Sequence, residues 1–343
     1  MSPPMGSALL DPAPREMSLM FRERTLERLK SLVRFLPDDS EHPSQAQIDE
    51  ALPEADFVIG QTDLPRDRLE RAGRLKAVFN VESNFLPNID YDYCFSRGIH
   101  VLTVSPVFAQ SVAELGLGLA IDLARSISRN DQAFRTGDER YGLESNTGTY
   151  LLSGQTFGII GYGDLGRALH GLLQPFHGSV NVYDPWVPPS EIAAAGASSV
   201  SLEECLRSSR ICFVTASVTS ENQGFLAQNH FDLLPDGASF VLLSRAGVVD
   251  FAVLTREAER GRIRVATDVF PEEPLSPDHP IRRAPGAVLS AHRAGAMADA
   301  FFEMGELVTD DVELILRGLP PRRCKRAERE TVRRLRSKPV DKS

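Results

Sequence analysis

Residues that handle anions and protons recur at the ends of apolar runs in the second half of this 343-residue chain. Arg245 stands in "FVLLSRAGVVD", just past a strand-like run, where an unpaired charge is costly to bury. Asp268, Glu272 and Glu273 follow the next run in "VATDVFPEEPL", and His292 ends the last one in "AVLSAHRAG". A guanidinium presents two parallel donors that suit a carboxylate. An imidazole near a carboxylate makes an acid–base pair. Singly, each residue has a plainer reading: a snorkelling arginine, a core histidine, a solvated acid at Glu273, a helix-capping Asp268. Their recurrence at corresponding strand ends points to one site, because ligands of open α/β sheets bind beyond the carboxyl ends of the strands.

Upstream, "TFGIIGYGDLGRALHGLL" places Gly161, Gly163 and Gly166 in a GxGxxG pattern between a strand and a helix. The glycines allow a tight turn, close approach of a pyrophosphate and close helix packing. The amides of Asp164 and Leu165 then open a helix, where an anion is favoured. The following strand, "VNVYD", ends in Asp184, placed to accept hydrogen bonds from an adenosine ribose. A glycine turn serving only to pack helix on strand is the plainer alternative. Strand, turn, helix and acid together argue against it.

The elements that must position these residues alternate regularly. "SALL", "VRFL", "DFVIG", "KAVFNV" and "GIHVLTV" read as strands, separated by the helical patterns "MFRERTLERLKSL", "SQAQIDEAL" and "PRDRLERAG". A long apolar helix, "AQSVAELGLGLAIDLARSIS", and an irregular stretch, "GDERYGLESNTGTY", lead to a second series. Its strands are "TFGIIG", "VNVYD", "ICFVTA", "SFVLLS", "RVATDVF" and "AVLSAH", and a helix over "ADAFFEMGELVTDDVELILRG" follows. Such alternation implies parallel sheets covered on both faces, so the expected class is α/β with two units.

Composition bounds the rest. A chain with 42% hydrophobic and 25% charged residues is globular, and a net charge of −9 argues against nucleic-acid or anionic-membrane binding. No secretory signal or membrane span is read, and a cytoplasmic location is expected. Cys94, Cys205, Cys212 and Cys324 show no disulfide framework and no metal-ligand spacing. The basic stretch "RRCKRAERETVRRLRSKP" reads as a solvated, mobile tail.

These stretches, with "NIDYDYCFSRGIHVLTVSP" and "VTSENQGFL", resemble in type and order the D-isomer-specific 2-hydroxyacid dehydrogenases, over roughly residues 75 to 300. The resemblance implies two doubly wound parallel-sheet domains. One is a flavodoxin-like substrate domain of residues 1–103 completed by a helix at 297–320. The other is a Rossmann NAD-binding domain at 104–296, and 321–343 remains the tail. It implies NAD as cofactor, held by Gly161, Gly163, Asp164, Leu165, Gly166, Asp184, Thr219, Arg245 and Asp268, with Asp268 on the nicotinamide carboxamide. It implies that Arg245 holds the substrate carboxylate and carbonyl oxygen, that His292 donates and accepts the proton, and that Glu273 orients His292 and favours its protonated form. The partner is then a small 2-keto or 2-hydroxy acid, and the helix from Ala109 to about Ser128 matches the family's dimer-forming region. The apolar character of that helix on more than one face separately points to a homodimer.

Four departures set this chain apart from the family pattern. The substrate loop, glycine-rich in the family, reads Glu82-Ser83-Asn84-Phe85 here, so Ser83 and Asn84 are the expected substrate contacts. Ala246 follows Arg245 where the family has glycine, and Ser217-Val218-Thr219 replaces Pro-Leu-Thr. Arg293 after the histidine is either a second anion contact or a surface arginine. Two other functions share the fold: formate or phosphite oxidation, with Glu273 speaking against the formate reading, and a non-catalytic NAD-sensing protein of the corepressor kind.

Overall fold

The computed structural model describes residues 4–37, 41–82 and 84–335. The chain forms two compact units, one of residues 1–108 and 296–343, the other of residues 109–295. The expected boundary at 103/104 lies slightly early, because Val104 and Val107 are buried in the core of the first unit.

The first unit begins with strands β1 (Gly6–Asp11), β2 (Val33–Leu36), β3 (Phe57–Gly60), β4 (Ala77–Asn80) and β5 (His100–Thr103). They pair in parallel in the order β5-β4-β3-β1-β2, the flavodoxin-like arrangement. β3 and β4 are buried along their whole length, which is why their sequences are continuous apolar runs. Phe57, Ile59 and Phe79 face one core, while Val58 and Val78 face the other. The connecting helices carry clear stop and start signals. Ser44 and Gln47 form a capping box before Gln45–Ala51, and Gly98 closes Tyr91–Arg97 at φ +70.

The second unit holds β6 (Phe157–Ile160), β7 (Val180–Tyr183), β8 (Ser198–Ser199), β9 (Ile211–Val214), β10 (Ser239–Leu242), β11 (Arg264–Thr267) and β12 (Ala287–Leu289). Their order is β8-β7-β6-β9-β10-β11-β12, all parallel, so the winding reverses between β6 and β9. This is the Rossmann order, and the glycine turn leaves β6 at the reversal. The long helix Phe108–Arg125 is apolar enough to pass for a membrane span by composition. Its Ala113, Leu119, Ala120, Leu123 and Ala124 are nonetheless buried in the core beneath the sheet. The expected helix to about Ser128 is broken at Ser126, φ +54, and a second, polar helix, Ile127–Thr136, follows where nothing regular is expected beyond Ser128. The irregular stretch after it is pinned at Tyr150, whose ring lies 4.0 Å from the Arg210 guanidinium and whose hydroxyl is 2.6 Å from Ser239 Oγ.

The chain then returns to the first unit with helix Ala298–Leu316, whose Met304, Leu307, Val308 and Val312 join the core of Met20, Phe21 and Phe57. At Gly305 a Cβ would lie 2.6 Å from the Met20 carbonyl oxygen, so only glycine permits this approach. The segment expected to be a mobile tail is ordered through residue 335. Lys325–Arg326 form β13, antiparallel to β5, and Arg329–Val332 form a short helix. The physical reason is Asp311, fully buried in the long helix, whose carboxylate accepts the amides of Arg322, Arg323 and Cys324. Side chains Cys324 and Ala327 then enter the core.

Candidate active site

The glycine turn shows which of its residues the protein needs for itself. Gly161 has φ +96, and a Cβ there would lie 2.5 Å from the Ala216 nitrogen. On Gly166 a Cβ would stand 2.3 Å from the Gly161 carbonyl oxygen, so that glycine permits the helix to press on the turn. Gly163 differs: its φ is −77, and a Cβ would meet no atom within 4 Å. Neither backbone nor packing requires glycine there, and the space it leaves open lies at the start of helix Asp164–Leu173, which no side chain caps. A cradle free of side chains at a helix N-terminus fits a dinucleotide pyrophosphate.

Asp184 follows β7, and its carboxylate is fixed by three amides. Oδ2 accepts Tyr162 N–H at 2.6 Å, while Oδ1 accepts Trp186 N–H at 2.8 Å and Val187 N–H at 3.1 Å. A carboxylate offers about four acceptor positions, so about one remains, on Oδ2, for a ribose hydroxyl. Thr219 is buried in the loop after β9, where its amide donates to Asn222 and its Oγ1 accepts Glu221 N–H. Beneath the turn, the Tyr162 hydroxyl is 2.6 Å from Nδ1 of the buried His170, and burial lowers the affinity of that ring for a proton.

β10, β11 and β12 are adjacent, and the loops leaving their carboxyl ends carry Arg245, Glu273 and His292. Arg245 lies three residues past β10 in extended backbone, half-buried, with one guanidinium nitrogen on the Ser244 carbonyl oxygen at 2.7 Å. Glu273 and His292 meet: His292 Nδ1 is 2.6 Å from Glu273 Oε2, and the other Glu273 oxygen accepts Phe270 N–H at 3.0 Å. Nδ1 is thereby committed to Glu273, which leaves Nε2 as the atom that carries or takes a proton. Both side chains remain partly exposed, 42% for His292 and 37% for Glu273, so a substrate can reach the ring.

Asp268 is different, being 1% exposed. Its Oδ1 accepts Arg293 N–H at 3.1 Å and its Oδ2 accepts Ala294 N–H at 3.0 Å. The side chain of Arg293 is exposed.

In the first unit, Ser83 lies outside the described residues, and Asn84 is half-buried in the loop after β4. Phe85 turns into the core, where its ring meets Tyr91 edge-on at 6.4 Å. Glu82 pairs with Arg15 at 2.8 Å, and the Arg15 guanidinium stacks 4.6 Å from the Phe301 ring. Sequence reasoning missed two residues at this edge. Gln61, directly after β3, is 3% exposed with neither side-chain amide atom hydrogen-bonded; Asn80 ends β4 at 1% exposure with its Nδ2 unpartnered. A polar residue closing an all-apolar strand was the available signal for both.

The chain resembles known proteins along most of its length. It is 29% identical to the D-3-phosphoglycerate dehydrogenase of Archaeoglobus fulgidus over 274 residues, covering 78% of this chain and 50% of that protein. It therefore spans about half the length of that relative. It is 29% identical to the glyoxylate reductase of Thermofilum pendens over 260 residues, covering 74% of this chain and 76% of the other. Among solved structures, a phosphoglycerate oxidoreductase from Rhizobium etli matches at 44% identity with a TM-score of 0.86, over 95% of this chain and 99% of that one. Residues 117–294 match the model described as "D-isomer specific 2-hydroxyacid dehydrogenase, NAD binding domain", and the chain belongs to the D-isomer-specific 2-hydroxyacid dehydrogenase family.

Proposed function

We propose that the protein interconverts a 2-keto acid and its D-2-hydroxy acid, with NAD as the redox partner. The observation that carries this reading is the 2.6 Å pair of His292 Nδ1 and Glu273 Oε2, in the same unit as the open cradle at Gly163. When bound, NADH supplies a hydride. Arg245 fixes the keto acid through its carboxylate and carbonyl oxygen, aligning the carbon to be reduced. His292, charged and held by Glu273, delivers its Nε2 proton to the carbonyl oxygen as negative charge grows there. In the reverse direction the neutral ring takes the hydroxyl proton. Gly161, Gly163, Asp164, Leu165, Gly166, Asp184 and Thr219 form the cofactor side, and Ser83 and Asn84 the substrate loop.

A homodimer belongs to the same reading. Ile127, Phe134, Tyr141, Leu143 and Leu151 are 53–89% exposed and all follow the helix Phe108–Arg125, exposed apolar side chains that a second copy would cover. Light scattering at micromolar concentration should return twice the chain mass.

The test is NADH oxidation with a panel of aromatic, branched and dicarboxylic 2-keto acids. At least one should turn over, and His292→Ala should slow it by on the order of a hundredfold or more. No turnover with any acid, alongside intact NADH binding, would favour a non-catalytic NAD-sensing protein.

A further inference from the structure

Glu82 opens the loop after β4, where the family is glycine-rich, and sets a negative charge directly before Ser83 and Asn84. A keto-acid anion brought to that loop would be repelled by a bare carboxylate. The charge is not left bare. Arg15, in the turn that leaves β1, meets Glu82 Oε1 with Nε at 3.0 Å and Nη2 at 2.8 Å. The two side chains are only 18% and 17% exposed, so the pair is less screened by water than a surface bridge. In the sheet, β3 lies between β1 and β4, so the pair spans the exit of β3.

Both partners are themselves held. The Arg15 guanidinium stacks 4.6 Å from the Phe301 ring, on the helix that closes the first unit, and that ring meets Phe108 edge-on at 6.4 Å. Such stacking fixes the plane of the guanidinium and leaves its edge to the carboxylate. Glu82 is gripped through its backbone as well. Its N–H donates to Asn80 Oδ1 at 2.9 Å, and its carbonyl oxygen accepts the Thr103 hydroxyl. Beyond the loop, Phe85 is buried in the core and the Tyr91 hydroxyl donates to the Leu86 carbonyl oxygen at 2.6 Å. Residues 82 and 85, on either side of the two expected substrate contacts, are therefore both anchored.

We propose that Arg15 is a positioning residue for the substrate loop, neutralising Glu82 and holding its carboxylate so that a keto-acid anion can dock at Ser83 and Asn84. This rests on the reading of those two residues as the substrate contacts. Arg15 acts through Glu82, so its effect is on substrate affinity and not on proton or hydride transfer.

Arg15→Met tests the proposal, because it keeps an unbranched side chain over Phe301 and removes the charge. At low salt KM for the keto acid should rise about tenfold, with kcat within about threefold and the NADH dissociation constant within about twofold. Near 1 M salt, where charges are screened beyond about 3 Å, the rise should shrink to about threefold or less. Adding Glu82→Gln to Arg15→Met removes the stranded carboxylate and should bring KM back to within about threefold of the wild-type value. Glu82→Gln alone leaves Arg15 uncompensated beside the loop and should lower KM about twofold to threefold. An unchanged KM in folded Arg15→Met would overturn the proposal. So would a KM that stays raised in the double variant, which would make the pair purely structural. If Arg15→Met shows no cooperative melt, Glu82→Gln alone decides, and a KM at or above the wild-type value overturns the proposal. Absence of turnover with any keto acid in the wild-type protein would end the dehydrogenase reading itself, and this proposal with it.

Discussion

Replacing Gly163 by alanine separates a glycine kept for a ligand from one kept for the fold. At Gly163 the backbone is ordinary for an L-residue and a new methyl meets nothing within 4 Å. Stability should therefore move by no more than about 0.5 kcal/mol, the usual scale for a change without clash or cavity. Yet the methyl would stand where the pyrophosphate must approach, and NADH affinity should drop by about tenfold or more, ~1.4 kcal/mol per factor of ten. Gly161→Ala is the counterpart. Its φ of +96 and a Cβ 2.5 Å from Ala216 N force both strain and overpacking. The strain costs about 1–2 kcal/mol and the overpacking about 1–3 kcal/mol. For a unit of residues 109–295, each kcal/mol lowers Tm by about 2–4 °C, so the second unit should melt roughly 4–20 °C lower. Thermal melts and NADH fluorescence titrations on both variants give the comparison. Gly163→Ala with wild-type NADH affinity would refute the assignment of that space to the cofactor.

Asp184 should impose a preference for NADH over NADPH, since a 2′-phosphate would face its fixed carboxylate; comparable catalytic efficiency with both would contradict this, and Asp184→Ser should narrow the gap. Gln61→Leu removes two buried amide atoms without partners and should raise stability by about 1–2 kcal/mol; a lower melting temperature would show that the amide is satisfied in solution. His170 should make the second unit acid-sensitive. Its burial favours the neutral ring in the folded state, so that contribution is complete above the unfolded pKa of about 6.5 and is lost as pH falls below it. The melting temperature should drop between pH 7 and 5, and His170→Gln should flatten the drop; an unchanged slope would rule the residue out.

Strand-by-strand, the architecture was legible because parallel strands buried on both faces leave continuous apolar runs, as in "FVIG" and "AVFN". The pairing of Glu273 with His292 was legible because a polar residue ending such a run breaks the local pattern. What sequence could not show was main-chain hydrogen bonding. Asp268 and Asp311 both take consecutive amides, and nothing in residue type marks an acid that will do so. That is why residues 321–335 read as a mobile tail. The position of Phe85 was hidden for a related reason: an aromatic in a polar loop does not declare whether it faces a ligand or turns under into the core.

The discontinuity of the first unit has a consequence for how the protein is made. Residues 109–295 are a single continuous stretch, so the second unit has all its strands once β12 is synthesised. The first unit has its five parallel strands by Thr103 but lacks the cover for Met20, Phe21 and Phe57 until helix Ala298–Leu316 is made. At a synthesis rate of about 5–20 residues per second, that apolar face waits roughly 10–40 s on the ribosome. The nascent chain therefore carries an exposed, half-built sheet while a complete nucleotide-binding fold forms behind it. The insertion makes the amino-terminal sheet the last part to close.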